Sequence, residues 1–70
     1  MRYYAIKNKN TGAYIGGTDF NYQPPRQIEA SEFRPPKLFA ENELCIEWVR
    51  RKISATQYEA VEVSIVEVEE

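Results

Sequence analysis

The chain has 70 residues, of which 43% are hydrophobic, and a formal charge of −2 from nine basic and eleven acidic side chains. That length makes one domain, spanning residues 1–70, and the near-balanced charge lacks the basic footprint of a general nucleic-acid binder. A single cysteine, Cys45, and no histidine exclude an intrachain disulfide and argue against a structural zinc site.

In chain order, residues 2–7 are rich in aromatic and β-branched types and predict a first strand. Asn8-Lys9-Asn10-Thr11-Gly12 supplies turn chemistry, and Ala13-Tyr14-Ile15 a short second strand, so the two predict a β-hairpin. Gly16 and Gly17 are expected to end that pairing. Irregular chain then runs to about Lys37, because Pro24-Pro25 and Pro35-Pro36 lack N–H donors and push their predecessors away from helix. A short turn is expected near residues 28–33, and Leu38-Phe39-Ala40 re-enters the core as a short third strand.

Residues 41–53 predict a helix. Leu44, Cys45, Trp48, Val49 and Ile53 fall on one face, with acids in the first turn and bases in the last. Ile46 lies at the far edge of this arc, where it meets a loop or another molecule, or is a stray exposed apolar residue. Residues 58–68 predict the last strand. Val61, Val63 and Ile65 face inward, and the phase then flips to Val66 and Val68. A β-bulge near Ser64–Val66 or a contact with a second subunit accounts for the flip. The order is β-β-(loop, short β)-α-β: a small α+β domain with a mainly antiparallel sheet and one helix on one face.

The opening Met1-Arg2-Tyr3-Tyr4-Ala5-Ile6-Lys7 turns polar too soon for a signal peptide, whose apolar region runs roughly 7–15 residues. No run approaches the ~18 apolar residues of a membrane span, so a soluble intracellular protein is expected. A domain this small buries only roughly 60% of its unfolded surface, so a homodimer or higher oligomer is one route to further burial. The charge is uneven. Residues 59–70 carry five glutamates and no base, whereas residues 1–37 carry six bases against three acids.

Catalytic and cofactor chemistry finds little footing. Cys45 has no histidine to activate it and is read as a core residue. Asp19 with Glu29 or Glu32 reads as solvated loop acids. Gly16-Gly17-Thr18 can bring backbone N–H groups to an anion, as a nest does, although turn geometry alone explains two glycines. No cofactor is implied. The aromatic and basic content of residues 16–37 is more suggestive, since Phe20, Tyr22, Arg26, Phe33, Arg34 and Lys37 fall within eighteen residues. Arginine grips phosphate or carboxylate and aromatic rings stack or fill pockets. Phe33 and Phe39 are expected to pack this segment onto the sheet. Diprolines reduce the entropy lost on ordering it, which serves a structural clamp and a preorganised recognition surface alike.

Five stretches together resemble small uncharacterised accessory proteins of bacteriophages and prophages. These are Tyr3-Tyr4-Ala5-Ile6-Lys7-Asn8-Lys9-Asn10-Thr11-Gly12, Gly17-Thr18-Asp19-Phe20, Pro24-Pro25-Arg26-Gln27, Arg34-Pro35-Pro36-Lys37-Leu38-Phe39 and Tyr58-Glu59-Ala60-Val61-Glu62-Val63. The resemblance implies a viral protein in the cytoplasm of a bacterial host cell, and no catalytic residue carries over with it. The leading expectation is a non-enzymatic protein that blocks a host factor, such as an antiviral-defence component, by occlusion. It would use the residue 16–37 segment (Gly16, Gly17, Thr18, Asp19, Phe20, Tyr22, Arg26, Arg34, Lys37) and Ile46. The alternatives are a multimeric sponge for an anionic nucleotide, gripped by Arg26, Arg34 and the Gly16–Thr18 backbone, and a structural or regulatory phage component.

Overall fold

The computed structural model describes residues 1–64 and residue 66. Its elements are β1 (Tyr3–Asn8), β2 (Ile15–Asp19), β3 (Arg26–Glu29), β4 (Leu38–Ala40), α1 (Glu41–Arg50) and β5 (Tyr58–Val63). The fold is a small α+β domain with antiparallel pairing throughout. One sheet has the order β4-β1-β5, and a second pairs β2 with β3. The helix is not long and apolar enough to cross a membrane.

β1 is the central strand of the larger sheet, and its two faces are used differently. Tyr4 lies opposite Phe39, and Ile6 opposite Ala60, on the side that α1 covers. Here Ile6, Ile15, Phe39 and Ile53 form the buried core, with Leu44, Trp48 and Tyr58 packed around it. On the other side Ala5 lies between Leu38 and Val61. Ala5 is buried there, at the floor of an apolar depression walled by Tyr14, Pro35, Pro36, Leu38 and Val63. The second diproline is therefore a strap over the helix-free face, held by the Lys37 N–H donating to the Ile15 carbonyl (2.9 Å). Val61 and Val63 are half-buried on this face, while Glu62 between them is exposed. The expected bulge or subunit contact near Ser64–Val66 turns on Ile65 and Val68, which lie outside the described residues.

The Asn8–Gly12 turn forms as its composition predicts. The Asn8 carboxamide oxygen accepts from the N–H groups of Asn10 (2.8 Å) and Thr11 (3.3 Å). Gly12 takes φ 75°, a conformation that costs a glycine little. The hairpin beyond it is shorter than predicted: β1 and β2 meet at the single bridge Lys7–Tyr14. β1 has instead spent its two edges on β4 and β5, which releases β2 to a different partner.

That partner corrects the reading of residues 16–37 as irregular chain. Gly16 and Gly17 belong to β2, which pairs with β3 in the register Gly17–Ile28, Thr18–Gln27 and Asp19–Arg26. Gly16 is the extra residue of a β-bulge, since Ile15 opposes Glu29 and Gly17 opposes Ile28. Ser31 and Arg34 then exchange backbone hydrogen bonds (2.7 and 3.2 Å) in a tight turn. Phe33 rides at the apex of this turn, 90% exposed rather than packed on the sheet. Phe39 is in the core as expected.

The helix begins where Ala40, having no side-chain oxygen, is capped from the other direction: its N–H donates to the Glu43 carboxylate (3.1 Å). It stops at Arg50, three residues short of the predicted end. Lys52 adopts φ 51°, its N–H donates to the Val49 carbonyl (3.1 Å), and the Ile53 N–H donates to the Trp48 carbonyl (3.2 Å). This is a Schellman closure with lysine in the left-handed position that glycine usually takes. It folds Ile53 back against Trp48, so Ile53 is buried although it is not helical.

The helix face is also rotated from the predicted one. Cys45 and Val49 were expected inside, but Cys45 is exposed and Val49 is 70% exposed. The inward stripe is Leu44, Glu47, Trp48 and Arg51, at i, i+3, i+4 and i+7. Arg51 takes the place the apolar pattern gave to Cys45 and Val49, because it finds buried partners described next.

Candidate binding surface

The β2–β3 hairpin projects a six-residue loop, residues 20–25, and its base is held by Arg51. The Arg51 side chain is buried, with the residue only 8% exposed. Its Nη1 donates to Thr18 Oγ1 (3.0 Å), and the Thr18 hydroxyl donates to Gln27 Oε1 (2.6 Å). Gln27 Nε2 returns to the Arg51 carbonyl (2.8 Å), so helix end, β2 and β3 close one ring of hydrogen bonds. The guanidinium also lies over the Phe39 ring (5.2 Å) and near Phe20 (5.9 Å). Glu47 Oε2 stands 3.5 Å from Arg51 Nε and balances its charge, though Nε itself makes no hydrogen bond among the described residues. A buried cation with an anionic neighbour and one charge-assisted bond is tolerated where a lone one is not.

Above this base the side chains face solvent. Arg26 stacks on the Tyr22 ring at 4.5 Å, and Asp19 lies opposite Arg26 across the strands. Asp19 Oδ1 accepts the Asn21 N–H (2.9 Å), which fixes the carboxylate at the start of the loop. Asp19, Tyr22, Arg26, Gln27 and Ile28 line an open depression of about 430 Å³. Phe20 packs under Arg50 at 4.7 Å, joining the loop to the end of the helix.

The residues singled out from sequence thus divide into several groups. Asp19, Tyr22 and Arg26 share one depression. Phe20 reaches the helix end through Arg50, which in turn lines a shallow helix groove with Ile46. Thr18 points into the Arg51 ring and supports the hairpin from within. Gly16 and Gly17 form the bed on which Arg34 lies: a Cβ on Gly16 would come within 2.8 Å of Arg34 Cγ and 3.1 Å of the Ala30 Cα. Both glycines sit in an extended strand, and of the three glycines Gly12 alone has a positive φ. The alternation of right- and left-handed residues that builds an anion nest is therefore absent at Gly16–Thr18. Lys37 stands apart, on the diproline strap.

Two residues of this surface escaped the sequence reading. Arg51 read as an ordinary basic helix end, and Gln27 as loop. The signal for Arg51 was present, since it lies i+7 from Leu44 and i+3 from Trp48 on the buried stripe. Comparison with protein-family models, with curated proteins and with solved structures found no match.

Proposed function

We propose that this chain is a non-enzymatic binding protein that occludes a surface of a protein partner through the tip of the β2–β3 hairpin. Following the phage-type resemblance of its sequence, the partner is a bacterial host factor, and a component of antiviral defence is the leading class. The observation that carries the reading is the stacked Tyr22–Arg26 pair beside Asp19, held on a base ordered by Arg51. Tyrosine and arginine are the residue types most often found at the energetic centre of protein interfaces. Stacking restrains the Arg26 side chain before binding, which lowers the entropy lost in the complex.

Sequestration of an anionic nucleotide is the weaker reading. The Asp19 carboxylate lines the same depression as Arg26 and repels phosphate, while Arg34 lies on Gly16–Gly17. A partner presenting both a base and an acid suits this site better.

Affinity capture from bacterial lysate tests the proposal. A bacterial protein retained by the wild-type chain and lost with Arg26→Glu or Tyr22→Ala supports it. Retention unchanged by both substitutions, or a thermal shift with a nucleotide that Arg26→Ala abolishes, contradicts it.

A further inference from the structure

With Leu44, Trp48 and Arg51 turned inward, the opposite side of α1 is an apolar stripe without a partner among the described residues. Asn42, Ile46 and Val49 lie within about 60° of each other when residues are placed at 100° steps, and Cys45 and Arg50 flank them. Ile46 and Val49 are each 70% exposed, and Cys45 is exposed as well. Along the stripe, Asn42 is polar at one end and Ile46 and Val49 are apolar; Glu43 and Arg50 border the same side of it at its two ends, with Arg50 also holding Glu47 at 3.1 Å.

That order is self-complementary, and we infer that this face of α1 packs against the same face of a second copy, with the two helices antiparallel about a two-fold axis near Ile46. An isologous contact requires each end of a patch to suit the other end. In the antiparallel arrangement Ile46 meets its own counterpart, and Val49 meets Asn42 of the second copy. Glu43 of each helix then lies beside Arg50 of the other. A parallel pair would set acid against acid and align the two helix dipoles unfavourably, so charge selects one direction. The helix is only ten residues, about 15 Å long. The contact is therefore small beside the ~1,200 Å² of a stable interface, and the dimer is a weak, concentration-dependent one. This self-contact is independent of what the hairpin tip binds.

The test uses purified chain alone, by sedimentation equilibrium over a dilution series extended to the highest soluble concentration. The expected result is a reversible monomer–dimer equilibrium. Ile46→Glu sets two like charges at the axis and weakens it by roughly tenfold or more, while its circular dichroism and thermal midpoint stay those of wild type. Asn42→Asp faces Arg50 of the second copy and tightens the dimer a few-fold, whereas Asn42→Lys weakens it. A chain monomeric throughout the series overturns the inference, as does Ile46→Glu dimerising like wild type. Asn42→Asp and Asn42→Lys shifting the equilibrium in the same direction overturns the antiparallel geometry. Because no host component is present, failure here leaves the hairpin-tip proposal standing, and the reverse holds as well.

Discussion

Arg51→Ala should destabilise the chain by about 3 kcal/mol. The charge-assisted bond to Thr18 is worth roughly 1.5–3 kcal/mol, and stacking on Phe39 and Phe20 contributes about 1 more. The buried aliphatic stem adds packing that alanine cannot replace. Against this, alanine recovers part of the desolvation of a guanidinium whose Nε is unbonded. Glu47 is not orphaned, because Arg50 Nη1 still holds it at 3.1 Å. At roughly 0.05–0.15 kcal/mol per residue, a 70-residue chain has about 4–10 kcal/mol in all. The loss is thus a large share of it, equivalent to a midpoint fall of roughly 12–24 °C at 4–8 °C per kcal/mol. Arg51→Met, which keeps the stem, should lose only about 1 kcal/mol by the same comparison. Urea unfolding of both variants, and of Thr18→Val alone and with Arg51→Ala, gives the coupling directly. An Arg51→Ala loss below about 0.5 kcal/mol, the ordinary surface range, or no coupling to Thr18, would refute the account of the hairpin base.

Gly16→Ala should cost about 1–2 kcal/mol, because its Cβ meets Arg34 and the Ala30 backbone. Gly17→Ala, with its nearest contact at 3.8 Å, should fall within about 0.5 kcal/mol of wild type in the same urea titration. Lys52→Gly should stabilise by about 0.5–1 kcal/mol in thermal unfolding, since φ 51° suits glycine better than lysine. Cys45, being exposed, should react with a thiol reagent in the native state about as fast as in urea, whereas a core thiol would be protected.

The parts of the fold legible in the sequence were those with strong local patterns. β1, β4 and β5, the Asn8–Gly12 turn and the helix start all followed composition and periodicity. β3 was not legible, because Arg26-Gln27-Ile28-Glu29 is four residues long, directly follows Pro25, and shows no sustained alternation. β2 was hidden for a related reason: two glycines in a row read as a break, and their strand state depends on β3 and on the Arg34 side chain above Gly16. The apolar pattern points to a different helix face from the one that is buried, because polarity is a poor proxy for burial at Arg51. Arg51 is seated by Thr18 and two aromatic rings that are distant in sequence, and once it turns inward Cys45 and Val49 must turn out. The candidate site was legible as a set of residue types. Its grouping was not, since Asp19, Tyr22 and Arg26 meet only through the β2–β3 register, which also separates them from Lys37.

Site-specific photo-crosslinking in bacterial cells tests the central claim most directly. A photoreactive side chain is placed at the Tyr22 position, with the exposed Phe33 and Glu59 positions as controls. The account predicts a covalent adduct with one bacterial protein from the Tyr22 position, absent from both controls and lost when Arg26→Glu is added. An adduct from the control positions alone, or one at Tyr22 that Arg26→Glu leaves unchanged, would contradict it.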